Sequence, residues 1–232
     1  MSDIIYFLRD GDNEELRYSL RSVAAHFPHD RVIFYGGCPN GFTPDIHIRI
    51  EQDQPTAAKN VRKMLEHACA NDEITEDFWL FNDDFFIMRE ITDFRPRHQG
   101  LIIDHIAEVE RLHGMPTPYT EQMRHQLATI KKFMNPDRAL DYSVHMPMLI
   151  NRKDALLTLH AFQNEPMFRS LYGNHRQIGG IETKDCKFGT IREPKTMDSE
   201  FLSTSDEAFR SQPIGEYIRA QFTEPSRWEN GQ

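Results

Sequence analysis

Short apolar runs and helix-spaced stretches alternate along the first part of the chain. Ile4 to Leu8 is apolar throughout, the pattern of a strand covered on both faces. It stops at the turn signal Asp10-Gly11-Asp12. Asp12 and Glu15 then have capping-box spacing, and Leu16, Leu20 and Val23 recur at helical intervals. Arg31 to Tyr35 predicts a second strand, closed by Gly36-Gly37, and Asp45 to Ile50 alternates as a third. Ala57 to Ala70 predicts a helix, and Phe78 to Met88 a fourth strand. A helical region follows from Ile103 to Phe133, then a second mixed region from Asp141 onward. The polar stretch after Thr223 predicts a loose tail.

The order strand–helix–strand–strand–helix–strand predicts an α/β domain. Its sheet is mostly parallel and Rossmann-like with covering helices, and a smaller mixed region is added. Ligands of such sheets lie in the crevice beyond the carboxyl ends of the strands. Asp10 after the first strand, and Asp83 and Asp84 late in the fourth, would share that edge.

The two adjacent aspartates are the main chemical signal. They stand inside "DFWLFNDDFFIMREI", between aromatic runs that argue against a loose surface loop. A buried carboxylate is costly unless it is paired or binds a cation. Two of them at a strand end can hold Mg²⁺ or Mn²⁺ through oxygen ligands, the remaining ligands coming from water and substrate phosphates. The plainer reading of the same residues is a solvated turn.

Composition narrows the class. The chain has 232 residues with 39% hydrophobic and 27% charged positions, enough for one sizeable core. No apolar run approaches the roughly 20 residues of a membrane span. The opening MSDIIYFLRD lacks a secretory pattern. Cys38, Cys69 and Cys186 share no metal-type spacing and predict reduced thiols in a cytoplasmic compartment. The net charge of −9 is uneven: Arg95 to Lys195 carries 15 Lys/Arg against 11 Asp/Glu and seven of the eleven histidines. A basic, His-rich middle suits a phosphate-rich partner, or is simply an uneven solvated surface.

Several blocks resemble one family. "IIYFLRDGD" is similar to the first block of Stealth-type transferases, and "DNEELRYSLRSV" (Asp12 to Val23) to the opening of their second. "FWLFNDDFF" resembles the end of that second block and "VHMPMLINR" (Val144 to Arg152) the third. Weaker likenesses are "MFRSLYGN" and "FLSTSDEAF". Leu8-Arg9 replaces a Trp usual before the Asp-Gly turn, and Ser205 stands where Asn is usual. The resemblance implies a GT-A-like fold acting on a nucleotide-diphospho-sugar with Mn²⁺ or Mg²⁺. Residues 1–95 would be the nucleotide-sugar-binding half, 96–222 the helical and acceptor/catalytic half, and 223–232 the loose tail.

Within that frame Asp84 is the expected metal ligand, with Asp83 on the metal or the ribose. Asp10 and Gly11 would approach the nucleotide; an Asp before Gly is also an ordinary turn. Arg17 and Arg21 would face the diphosphate, or be solvated. Asn60 and Arg62 would contact base or sugar. His145, by itself a core-type histidine, becomes a metal, phosphate or acid–base group. Arg169 would clamp a phosphate oxygen, or snorkel to the surface. Asp206 would accept the proton of the acceptor hydroxyl, unless Ser205-Asp206 only caps a helix.

The leading expectation is a metal-dependent glycosyltransferase moving a sugar to an acceptor hydroxyl, on a glycan or another compound. Stealth-type transfer of sugar 1-phosphate is the alternative, and a non-catalytic nucleotide or glycan-binding module a second. A modified DNA base is a minority acceptor, because −9 opposes broad backbone binding.

Overall fold

The computed structural model describes residues 1–163, 165, 167–189 and 198–230. Its main sheet has the order β3-β2-β1-β4-β7. The strands are β1 (Asp3–Leu8), β2 (Val32–Gly36), β3 (Ile46–Ile48), β4 (Asp77–Phe81) and β7 (Met148–Asn151). The first four run parallel, and β7 is antiparallel to β4, with Leu80 opposite Met148. The expected α/β class is therefore present: a central, mostly parallel sheet with helices. Ile4, Ile5 and Tyr6 of β1 are fully buried, because the central strand is covered on both faces.

Helices α1 (Glu14–His26) and α2 (Ala57–Ala70) lie where the periodicity puts them. The cap of α1 differs: Asn13, not Asp12, accepts the amide of Leu16 at 2.9 Å. Glu15 is thereby freed from the expected capping box. α1 also shows why its sequence reads "RYSLRS". Leu16, Leu20 and Val23 enter the core, while Ser19 donates to the carbonyl of Phe85 at 2.6 Å. Ser22 accepts the amide of Ile87 at 3.0 Å.

Those serines satisfy a strand that the sequence hides. The expected fourth strand is two. After β4 the chain turns at Asn82-Asp83-Asp84, and β5 (Phe85–Ile87) leaves the main sheet. β5 pairs antiparallel with β10 (Phe201–Thr204), which pairs in turn with β9 (Lys187–Phe188). Phe86 stacks on Phe209 with ring centroids 5.8 Å apart, against α7 (Asp206–Ser211) and α8 (Pro213–Gln221). Both halves of the run are apolar, so only the polar triplet marks the change of sheet.

Among the described residues the remaining pieces are a short pair, β6 (Arg97–His98) with β8 (Ile181–Glu182), a 3₁₀ turn at Pro136–Arg138, and four α-helices. These are α3 (Ile102–His113), α4 (Pro118–Ile130), α5 (Arg152–Ala161) and α6 (Phe168–Arg176).

The loose tail expected from 223 is corrected through residue 230; Gly231 and Gln232 lie outside the described residues. Trp228 is 2% exposed and donates its indole N–H to Asp45 at 3.0 Å. Glu229 bridges to Phe42 and receives both arms of Arg21, at 2.8 and 2.7 Å. Trp228, the forked Arg21–Glu229 pair, the Arg227–Asp45 pair and backbone bonds from Thr43 to Trp228 and from Asn230 to Gly41 hold a segment whose composition is polar.

Candidate functional site

The carboxyl ends of β1, β2 and β3 open into a cleft of about 340 Å³. Arg9, Asp10, Gly37, Arg49, Gln52 and Asn60 are among its walls. Gly37 is required here: a Cβ would lie 2.3 Å from the backbone of Arg9 and Asp10, which pass directly over it. Asp10 is exposed and paired with Arg49 at 2.6 Å; that contact, and the amide of Cys38, hold its carboxyl below the usual range. Asn60 lines the cleft and ties the loop at Gln54. Gly11, at φ +108°, takes the left-handed turn that carries the chain from Asp10 to Asn13.

Asn13 begins the second part of the edge. Its amide donates to Asp83 at 2.6 Å. Asp84, 9% exposed, accepts Lys187 Nζ at 3.0 Å and Ser203 Oγ at 2.9 Å on one oxygen. Its other oxygen, Oδ1, is enclosed and has no donor among the described residues. Glu15 lies beside them and accepts the hydroxyl of Thr204 at 2.6 Å. Burial pushes its carboxyl up to about 7; the hydrogen bond from Thr204 opposes this, and the charges of Asp84, Asp206 and Asp83 add to it. Asp83 is raised too, first by burial and then by Asp84, against the pull of Asn13. Asp206, exposed in the first turn of α7 after the cap Ser205, completes a group of four acids.

The third part precedes β7, whose antiparallel course brings its first residues to the same edge. Arg169 on α6 donates to the carbonyl of Met146 at 2.6 Å and lies over the Phe85 ring at 5.3 Å. Burial lowers its guanidinium to about 10, opposed by the charges of Asp84 and Asp185, and its Nη2 is enclosed without an acceptor among the described residues. It remains a cation at neutral pH. His145 meets Asp185 at 2.9 Å through Nδ1, and its own amide donates to the other oxygen of Asp185 at 2.9 Å. Two residues further on, Lys187 grips Asp84. One short stretch of chain, Asp185 to Lys187, therefore contacts both His145 and Asp84.

Of the expected residues, then, Asp83, Asp84, Asp206, His145 and Arg169 gather around one turn, and Asp10, Gly11 and Asn60 around the adjoining cleft. Three arginines do otherwise. Arg21 is corrected to a structural role: besides Glu229 it binds the carbonyl of Phe222 at 2.9 Å. Arg17 points the same way, its Nε 3.8 Å from Glu229, because residues four apart share a helix face. Arg62 donates to the carbonyls of Leu159, Phe162 and Glu165, closing the end of α5, and so is also corrected. The residues missed were Asn13, Glu15, Asp185, Lys187 and Ser203. Glu15 had one signal, its spacing of four and seven from Ser19 and Ser22 on the face toward β5.

The orphaned Asp84 Oδ1 is an acceptor that a hard cation would satisfy. No group of three or more His, Cys, Asp or Glu among the described residues has the arrangement to hold a metal alone. His145 is thus not joined to the aspartates in a preformed metal centre. The fit is to an ion touched by Asp84 and completed by phosphate and water.

No family model matches the sequence, and no curated protein matches it. Among solved structures the chain is similar to the galactosyltransferase LgtC in complex with donor and acceptor sugar analogs. That likeness has a TM-score of 0.46 and 12% identity, and covers 96% of both chains. An active-site mutant of LgtC gives 0.46 and 11%, over 94% of each. A likeness of that size says nothing about activity. Among the described residues no helix is long and apolar enough to cross a membrane.

Proposed function

We propose that the chain is a GT-A-like glycosyltransferase that takes its sugar from a nucleotide-diphospho-sugar. One observation carries the reading. A cleft, a turn with an unfilled buried carboxylate oxygen and an arginine with an unfilled buried N–H follow one another along a single sheet edge. That succession matches an elongated donor with a nucleoside at one end, a diphosphate in the middle and a sugar beyond.

The nucleoside would occupy the cleft beside Asp10 and Asn60. Arg169 Nη2 would donate to a phosphate oxygen, with Lys187 adding positive charge at Asp84. A bound Mn²⁺ or Mg²⁺ on Asp84 would neutralise the departing diphosphate. The proton of the acceptor hydroxyl would pass to a base at this edge, Asp206 in the open or His145, while the sugar C1–O bond to phosphate breaks. Stealth-type transfer would use the same residues and break the P–O bond to the nucleoside phosphate instead; the resemblance of the sequence blocks to that family keeps it as the second reading.

The test is a panel of nucleotide-sugars scored for thermal stabilisation with and without Mn²⁺, followed by turnover with the best donor. A ligand that binds only the folded state raises its melting temperature. Released nucleoside diphosphate supports sugar transfer, and nucleoside monophosphate supports sugar-phosphate transfer. Calorimetric binding without either product would leave a binding module, and no binding by any donor would remove the proposal.

A further inference from the structure

Asp185 belongs to no motif and stands in a polar stretch, Thr183 to Lys187, with no periodic signal. Its carboxylate nevertheless makes a two-point contact with a single residue. One oxygen takes the backbone amide of His145 at 2.9 Å, and the other meets the ring Nδ1 at 2.9 Å. Next to it, Cys186 donates its thiol to the carbonyl of His145 at 3.0 Å. Main chain, ring and carbonyl of His145 are thus all held by two consecutive residues.

A carboxylate accepts and does not donate, so the proton between His145 and Asp185 sits on Nδ1. In the neutral ring Nε2 is then the bare nitrogen. The side chain is 34% exposed, so the ring is partly open to solvent. We infer that Asp185 is a positioning residue that fixes His145 in the Nδ1–H tautomer and presents Nε2 as an acceptor at the reaction edge. A hydroxyl approaching there gives its proton to Nε2, and the imidazolium that forms keeps its second N–H on Asp185. The proposal of a role in turnover rests on the transferase reading; the tautomer itself does not.

Two variants test it. In Asp185→Asn the amide has one acceptor and one donor group, so it cannot accept from both the His145 amide and Nδ1–H. With its oxygen on the amide, its NH₂ faces Nδ1 and drives the proton to Nε2. Asp185→Glu keeps the carboxylate. Nitrogen-15 NMR of His145 in the whole protein should show a bare Nε2 in the wild type. The proton should move to Nε2 in Asp185→Asn, and a bare Nε2 should return in Asp185→Glu. With a donor identified, Asp185→Asn should lower kcat by about 10²-fold or more with donor KM nearly unchanged, the usual size of a lost acid–base contribution. An unchanged tautomer in Asp185→Asn, at an unchanged melting temperature, overturns the inference. If Asp185→Asn fails to fold, a wild-type spectrum with the proton on Nε2 overturns it equally. A wild type that transfers nothing while its tautomer is as stated defeats the transferase reading alone.

Discussion

Thr204 donates its hydroxyl to Glu15 at 2.6 Å across 189 positions of sequence, and so brings the start of α1 to the end of β10. The hydrogen bond steadies a carboxyl that burial and three neighbouring acids hold up to about 7. Near neutral pH the site therefore gains a negative charge as pH rises.

That charge opposes an anionic donor. Donor KM should rise as pH passes through about 7 in the wild type and stay flat over the same range in Glu15→Gln. A pH series of initial rates checks it; identical profiles would remove Glu15 from the donor site. The same shift has a stability consequence. The folded pKa of about 7 lies above the ordinary 4.5, so the contribution is fully present below 4.5 and lost as pH rises through 7. Glu15→Gln should then be more stable than wild type at alkaline pH. The difference should be about 1–2 kcal/mol, toward the lower end because the carboxyl is partly in solvent.

Asp84→Asn keeps the shape of the side chain and removes its charge. Turnover should fall about 10²–10³-fold, the scale of a lost electrostatic contact at a reacting group. Circular dichroism should show the fold retained. Unchanged turnover would mean that Oδ1 faces nothing of consequence.

Arg169→Lys retains a cation and loses the planar fork. Nη2 is the atom expected on phosphate, so donor affinity should weaken about 10–100-fold, as for a lost charged hydrogen bond. Isothermal titration of the nucleoside diphosphate measures this directly.

Arg21→Ala tests the structural role of that residue. Its side chain and that of Glu229 are 10% and 8% exposed, and removing one partner of a pair that is nearly buried costs about 3 kcal/mol. The melting temperature should drop by about 2–4 °C for each kcal/mol in a chain of this size. Turnover per folded molecule should not change. A large loss of kcat at constant stability would return Arg21 to the active edge.

The strands and helices of the first half were legible because each buries one kind of surface; α2 spans Ala57–Ala70 as its periodicity requires. The β4–β5 break was not legible, since both halves are apolar and the partner of β5 lies beyond residue 200. The aspartate turn could be read because charge inside an apolar run is costly. Arg21 and Arg62 could not, because their acceptors lie 208 and about 100 positions away. Asp185 and Lys187 were invisible for the same reason: their meaning comes from His145 and Asp84, 40 and 103 residues earlier.

The Asn82–Asp84 turn is clamped at both ends by ladders belonging to different sheets. Its register on each side is therefore set independently, and no slack exists between them. In a strand the side chains alternate, so adding or deleting one position would swing Phe85 and Phe86 to opposite sides and carry the acids away from Asn13 and Lys187. A change in the length of this stretch would therefore disturb both sheets at once, whereas an exchange such as Asp84→Asn leaves both ladders in place.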